Sequence, residues 1–400
     1  MRKKLLFVHD HVFIKGYDGL VYSPGGFPSS LWDKYLEHFD KIVAIGRCSN
    51  TAEKATNVHV QSSCENVEFT FVDKISSPIS LIRNFRNVKM KIQNAVIDSD
   101  YVIARLPSEN GLLAISLAKK FNKPFCIEVV GCAWDGLFNY GNLIGKIYAP
   151  IAYYRMKKAV KSSCFVLYVT NEFLQNRYPS NKRSTIVSAS NVSINVSKND
   201  MPNTKFYKYA ESKRKLVFGL IGNFKTKYKG IHIAIEALSK VQFGKENLDF
   251  EFRVLGKGDP EQYNKQALSL GVDKKICFYE PLPSGLPVHR WLDDIDIYIQ
   301  PSLQEGLPRA LIEAMSRGCV AIGSTTGGIP ELLEQEYIHK SGSVEGLVRN
   351  IEYVISNSKK LTDNSRRNFE ESLKYDSRAI SSKRSEFFKQ FADETRYEKY

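Results

Sequence analysis

Between Ile295 and Glu334 the chain reads IDIYIQPSLQEGLPRALIEAMSRGCVAIGSTTGGIPELLE, and this stretch constrains the fold more than any other. An apolar run, Ile295 to Gln300, ends in Pro301-Ser302, and a turn then carries Glu305-Gly306. The spacing predicts a helix from about Pro308 to Arg317, with Gly318 placed to stop it. A second apolar run, Cys319 to Ile322, opens into the glycine-rich loop Thr325 to Pro330. Strand, loop, helix, strand, loop is the repeating unit of a parallel α/β sheet. Such sheets bind ligands outside the carboxyl ends of their strands. The pattern places two carboxylates there, Glu305 in the loop and Glu313 in the helix.

The same alternation runs along the whole chain. Strand candidates in the first half are Lys4 to His9, Ile42 to Gly46, Val67 to Val72, Tyr101 to Leu106, Phe125 to Val130 and Phe165 to Thr170. In the second half they are Leu216 to Ile221, Phe250 to Leu255, Ile276 to Tyr279, Ile295 to Gln300 and Val320 to Ile322. Between the halves a polar segment, Ser197 to Lys215, lacks apolar periodicity, so a linker is expected at residues 197–215. The tail from Asn364 to Tyr400 is charged and helical in pattern. A chain of 400 residues exceeds what one core comfortably organises, and 43% apolar with 12% aromatic content suffices for two. The 7 cysteines are scattered without a CxxC pair, which points to a reducing compartment rather than a zinc site or disulfide framework. MRKKLLFVHDHVF begins like a signal peptide, but His9 and Asp10 interrupt the apolar run. No segment reaches the roughly 18 apolar residues of a membrane span. A net charge of +14 calls for an anionic partner: nucleotide, membrane surface or nucleic acid.

Leu216 to Gly230 reads LVFGLIGNFKTKYKG: a buried strand ending at Gly222, a polar loop, then Lys229-Gly230 opening a helix over Ile231 to Ser239. A lysine in that position joins a helix N-terminus whose N–H groups and dipole already favour anions, which makes a diphosphate site without a metal. Taken alone, Lys225, Lys227 and Lys229 read more simply as a solvated turn; Glu305 and Glu313 downstream make the anion site the better reading.

Glu, seven residues, Glu in the EGLP context resembles the donor-site signature of family 4 glycosyltransferases, and the resemblance covers most of the second half. It implies an α/β chain of the GT-B fold, two Rossmann-like doubly wound domains facing a central cleft. The acceptor domain would be 1–196, the nucleotide-sugar domain 216–375, and a C-terminal helix, 376–400, would pack back on the first domain. It implies that Lys229 holds the donor diphosphate, Glu313 accepts the ribose hydroxyls and Glu305 sits beside the transferred sugar, with Gly306 and Leu307 near sugar and phosphates. Lys229 and Glu305 would carry the catalysis. Leu255-Gly256-Lys257-Gly258 resembles the family's glycine-containing turn, and Glu280-Pro281-Leu282 lies where the base is met. Where relatives often carry arginine this chain has Asn223 and a loop one residue longer, leaving Lys225 or Lys227 to supply the charge.

In the first half His9-Asp10-His11 is followed by a loop through Ser23 to Pro28 and an expected helix over Ser29 to Phe39. Gly25-Gly26 lets backbone approach a ligand closely, and by resemblance such a pair faces the donor phosphates; alone it is a turn. Acceptor-side candidates at strand ends are His11, Arg105, Glu128 and Gly131, while Val130 stands where many relatives carry histidine. Ser188 to Val192 resembles the segment joining the family's domains. Asp98-Ser99-Asp100 and Asp294-Ile295-Asp296 fit the metal-binding DxD of the other large glycosyltransferase fold, but both precede their strands and so lie away from the ligand end. The histidines form no HxxxH or HExxH pattern.

Two basic segments remain. Pro78 to Asp98 predicts an amphipathic helix with Leu81, Phe85, Val88, Ile92 and Val96 on one face and Arg83, Arg86, Lys89 and Lys91 around the others. Tyr148 to Lys161 mixes Tyr148, Tyr153 and Tyr154 with Arg155, Lys157, Lys158 and Lys161. Each reads either as an ordinary surface helix or as a docking face for anionic lipid. No motif or stacking platform for nucleic acid accompanies the charge.

The resemblance implies retaining transfer from a UDP- or GDP-linked sugar to a glycan or polyprenyl-linked acceptor in bacterial capsule or exopolysaccharide synthesis. It implies no metal or other cofactor, and a place in the cytoplasm or on the inner face of the membrane. A GT-B epimerase or phosphorylase is the enzymatic alternative, told apart by whether free nucleotide appears only with an acceptor. A non-catalytic GT-B-like assembly subunit is the other; it would bind nucleotide without forming product.

Overall fold

A computed structural model describes residues 3–49, 59–75, 78–138, 143–196, 215–241 and 249–397. The linker expected at 197–215 lies outside these except for Lys215. The chain forms two compact units, Met1–Ala189 with Ser381–Tyr400, and Ser190–Ile380.

The first unit contains β1 (Lys4–Lys15), β2 (Val21–Ser23), α1 (Asp33–Leu36), β3 (Lys41–Cys48), β4 (Val60–Gln61), β5 (Val67–Phe71), α2 (Pro78–Ile97) and β6 (Tyr101–Leu106). It continues through α3 (Glu109–Lys120), β7 (Phe125–Val129), α4 (Ala133–Phe138), α5 (Leu143–Lys161), β8 (Phe165–Tyr168), α6 (Phe173–Arg177) and β9 (Thr185–Ser188). Its parallel strands run β5-β3-β1-β6-β7-β8-β9, and β2 and β4 add an antiparallel patch beside the end of β1. Strand alternation fills both layers. Leu5 and Phe7 pack with Trp32 and Tyr35, while Leu6 and Val8 pack with Val88, Ile92 and Val96 of α2.

The second unit contains β10 (Leu216–Asn223), α7 (Ile231–Lys240), β11 (Phe250–Lys257), α8 (Glu261–Ser269), β12 (Ile276–Tyr279) and α9 (Leu286–Asp293). It then has β13 (Ile297–Gln300), α10 (Arg309–Ser316), β14 (Val320–Ser324), β15 (Ile338–His339), α11 (Val344–Ile355) and α12 (Ser358–Ser372). Its strands are parallel in the order β12-β11-β10-β13-β14-β15, the doubly wound arrangement whose order reverses between β10 and β13. Phe218, Leu220, Ile297 and Ile299 face Ala234 and Leu238 of α7 and Leu347 of α11. Tyr298 turns to the other layer, with Leu311, Ile312 and Met315 of α10. A last helix, α13 (Ser377–Tyr397), belongs to the first unit from Ser381 on. Its Phe387, Phe388 and Phe391 enter that core, with the Phe388 ring 5.1 Å from Tyr35.

Both DxD segments hold strands together. Asp100 accepts the Lys4 N–H at 2.9 Å, and Asp296 accepts the Val217 N–H at 2.9 Å. Each carboxylate thus ties the amino end of its unit's central strand to the next, opposite the ligand end.

The structure departs from the sequence reading in several places. β1 does not stop at His9: it runs to Lys15, and its register with β3 shifts between Val8 and Val12, an irregularity that keeps the polar residues within the strand. The helix expected over Ser29 to Phe39 is a 3-10 turn, Ser29–Leu31, followed by the single turn of α1; Pro28 rather than Ser29 stands at the N-cap. Phe85 is 39% exposed instead of joining Val88, Ile92 and Val96, and the Leu81 side chain lies outside the described residues. β2, β4, β9 and β15 were not expected; β2, β4 and β15, at 2 to 3 residues, are too short to display a period.

Candidate active site

The reversal of strand order in the second unit puts two loops side by side, one after β10 and one after β13. Asn223 Oδ1 accepts the Lys225 N–H at 2.8 Å and turns the first loop. A 3-10 turn over Lys227–Lys229 follows, then Gly230 at φ 73° opens α7. A Cβ on Gly230 would stand 2.0 Å from the Pro301 carbonyl oxygen, so only glycine lets the second loop pack on the start of α7. The Leu303 N–H donates to the Tyr228 carbonyl at 2.7 Å across this contact.

The consequence is a carboxylate held from three sides. Lys229 Nζ is 2.6 Å from Glu305 Oε1, and the same oxygen receives Ser302 Oγ at 2.8 Å and Gln300 Nε2 at 3.0 Å. Glu305 is 8% exposed and Lys229 19%, so the pair is partly withdrawn from water while still reachable. The glycine-rich loop backs it. Gly328 N–H donates to Gly306 O at 2.7 Å, and a Cβ on Gly327 (φ 60°) would lie 2.4 Å from Glu305 O. Ser324 and Thr326 hydroxyls donate to Ser302 O at 2.6 and 2.7 Å.

Glu313 lies on α10, 7% exposed, with Arg309 Nε at 3.0 Å. Tyr298 on β13 is fully buried, and its hydroxyl accepts the Ile221 N–H at 3.1 Å. Burial pushes this phenol well above its ordinary pKa, and the nearby charges of Glu305 and Glu313 act in the same direction, so it stays neutral. Lys229 and Glu305 are therefore paired at the carboxyl edge of the sheet, and the charges of Glu305 and Glu313 both act on the Tyr298 hydroxyl. Lys225 and Lys227 are exposed on the same loop. Gly256 is buried opposite Gly222, whose carbonyl oxygen would be 2.6 Å from a Cβ there. Pro281 and Leu282 are exposed beyond β12, and Leu307 packs against the core beside α10. Tyr298, Gln300 and Ser302 escaped the sequence reading; the signal was Gln-x-Ser-x-x-Glu across the strand end.

The first unit gives a different picture. Arg105 and Glu128 sit directly opposite on β6 and β7. Glu128 is fully buried, with the Tyr35 hydroxyl at 2.7 Å, Arg105 Nε at 3.3 Å and Arg384 Nη1 of α13 at 3.8 Å. Burial acts to raise its pKa, but Lys34, Arg105, Arg384 and the Tyr35 hydrogen bond hold it down to about 2. Glu128 is thus the centre of a structural ion cluster, not a group open to an acceptor, and Arg105, 6% exposed, is committed to it. His11 places Nε2 2.9 Å from Ser23 Oγ and its ring 4.3 Å from Phe27. Burial, then Arg47 and Arg105, lower its pKa to about 4, so it is neutral at pH 7. Gly25 and Gly26 are exposed in a turn with φ of 131° and 73°, and Gly131 is half-buried after β7. Asp10 accepts the N–H groups of Glu109 and Asn110 at 2.7 and 3.2 Å and so anchors α3.

Comparison with known proteins supplies the family. The family described as "Glycosyl transferases group 1" matches residues 215–357. Protein CapJ of Staphylococcus aureus is 33% identical over 346 residues, covering 86% of this chain and 85% of CapJ. The chain belongs to the group 1 glycosyltransferases. The family match spans Asn223, Lys229, Gly256, Glu305 and Glu313. Another relative, the amylovoran biosynthesis glycosyltransferase AmsK of Erwinia amylovora, is 38% identical over 121 residues, 27% of this chain and 28% of AmsK. The solved structure of Anabaena HepE in complex with UDP and glucose superposes with a TM-score of 0.63 at 16% identity, covering 99% of this chain and 100% of HepE. The glycosyltransferase therefore has the GT-B fold. Among its described residues no helix is long and apolar enough to cross a membrane.

Proposed function

We propose that this glycosyltransferase moves a sugar from a UDP- or GDP-linked donor, with retention of anomeric configuration, to a glycan carried on a polyprenyl-type lipid during bacterial surface polysaccharide synthesis. The observation that carries the donor assignment is the Lys229–Glu305 pair, held by Gln300 and Ser302 where the strand order reverses. AmsK's role in amylovoran biosynthesis and HepE's complex with UDP and glucose support the substrate classes.

The chemistry follows from charge. The bond from the sugar's anomeric carbon to the diphosphate oxygen breaks, and its electron pair leaves with the nucleotide. The acceptor hydroxyl attacks from the side the diphosphate departs, and its proton passes to that diphosphate. Lys229 exchanges Glu305 for the diphosphate and stabilises the charge as it grows. Glu305, released, accepts hydroxyls of the sugar, and Glu313 accepts those of the ribose. Lysines and helix N-termini supply the positive charge, so the reaction needs no bound metal.

Incubation with individual nucleotide-sugars, with and without a polyprenyl-linked glycan, tests this directly. Acceptor-dependent release of UDP or GDP and an axial-to-axial or equatorial-to-equatorial product are expected, unchanged by exhaustive EDTA. Nucleotide release indifferent to acceptor would refute the transfer reading. Loss of turnover on chelation, restored by magnesium or manganese, would refute metal independence.

A further inference from the structure

Helix α5 is apolar on two opposite faces. Gly145, Ala149, Ala152, Met156, Ala159 and Val160 are buried against the first unit. On the far side Leu143 (73% exposed), Ile144 (66%), Ile147 (67%), Ile151 (53%) and Tyr154 (68%) stand in water. At 100° per residue these five share one stripe. The stripe ends in Lys158 and Lys161 in the last turn, with Lys146 and Lys157 along its edge. Phe138 at the end of α4, 43% exposed, extends the apolar surface under the Lys146 ammonium, 5.5 Å from its ring centre. The helix contains no acidic residue. Of the tyrosines that drew attention in the sequence, Tyr154 lies on this stripe and two face elsewhere: Tyr148 donates to Glu109 at 3.0 Å and Tyr153 to Arg177 O at 3.1 Å.

A row of branched aliphatics in water, with Lys146 and Lys157 along one edge and Arg155, paired with Glu109, at the other, is complementary to one kind of surface. We propose that α5 docks this glycosyltransferase on an anionic bilayer. Leu143, Ile144, Ile147 and Ile151 enter the acyl boundary, Tyr154 sits at headgroup level, and the lysines reach lipid phosphates on their long stems. A second copy of the chain fits less well. It would set lysines against lysines in a protein already at +14, with no carboxylate on the helix to answer them. The inference stands apart from the donor site, since none of these residues belongs to it.

The test is co-sedimentation of the full chain with phosphatidylcholine vesicles containing or lacking phosphatidylglycerol. Binding is expected only or mainly with phosphatidylglycerol. Ile147→Ser with Ile151→Ser should weaken it at least ~10-fold, as should Lys158→Glu with Lys161→Glu. Both double variants should keep the wild-type melting temperature and nucleotide-sugar affinity. Wild-type protein that ignores phosphatidylglycerol vesicles overturns the proposal, as does an isoleucine variant that binds them fully. So does a wild-type dimer that this variant converts to monomer, because the stripe would then be a contact between copies.

Discussion

Lys229 and Glu305 form an ion pair at 2.6 Å, and this decides how their variants should behave. If Lys229 matters most as the diphosphate departs, Lys229→Ala lowers kcat by about 10²–10³-fold while donor KM rises less. Lys225→Ala and Lys227→Ala, on exposed side chains, should keep kcat; if one of them loses it instead of Lys229, the diphosphate contact lies elsewhere on the loop. Glu128 calls for a different readout. Loss of its charge leaves Arg105 and Arg384 buried around a neutral amide, so Glu128→Gln should lower unfolding free energy by about 3–5 kcal/mol in urea. Its pKa falls on folding from 4.5 to about 2, so its stabilisation is complete above pH 4.5 and is lost as pH drops toward 2. His9 and His11 weaken the unit earlier. Their pKa values drop from 6.5 to about 3 and about 4, chiefly by burial, so below pH 6.5 protons go first to the unfolded chain. The urea midpoint should therefore decline from pH 6.5 to 4, less steeply in His9→Gln with His11→Gln. A flat wild-type midpoint across that range would refute the burial argument.

At the scale of elements, the site depends on two loops approaching closer than side chains allow. Gly230→Ala combines a left-handed φ with a backbone collision at 2.0 Å, and Gly327→Ala combines φ 60° with one at 2.4 Å. Each should cost at least ~2 kcal/mol and abolish nucleotide binding. Gly271→Ala is the control: φ is 69° but nothing lies within 4 Å, so only the strain of about 1 kcal/mol remains and binding persists. Equal losses at all three positions, by thermal melting, would show that φ alone matters. The strand–loop–helix unit around these glycines was legible from sequence because Gly318 and the Thr325–Pro330 loop punctuate strong apolar runs. The end of β1 was not. His9-Asp10-His11 reads as a break, yet a register shift and the hydrogen bonds of Asp10 absorb the polar residues.

Across the whole molecule, the repetition of one strand order explains what could be read and what could not. In each unit a central strand, β1 or β10, is flanked by the strand before and the strand after the reversal, and an aspartate ties the amino ends. Alternating apolar runs announce this architecture, and motifs at strand carboxyl ends announce where ligands go. They do not distinguish the partly exposed Glu305–Lys229 pair from the sealed cluster around Glu128: the two glutamates look alike in sequence and differ only in what tertiary packing brings to them. The exposed aliphatic row of α5 was hidden for the same reason, since periodicity reports that a face is apolar, not that it is covered. The measurement that bears most directly on the donor assignment is isothermal titration of UDP- and GDP-sugars into wild-type protein and Glu313→Ala. Wild-type protein should bind one of these nucleotide-sugars, and the variant should bind it about 1.5–3 kcal/mol more weakly at an unchanged melting temperature. Equal affinity in a fully folded variant would place the nucleotide away from α10 and contradict the site.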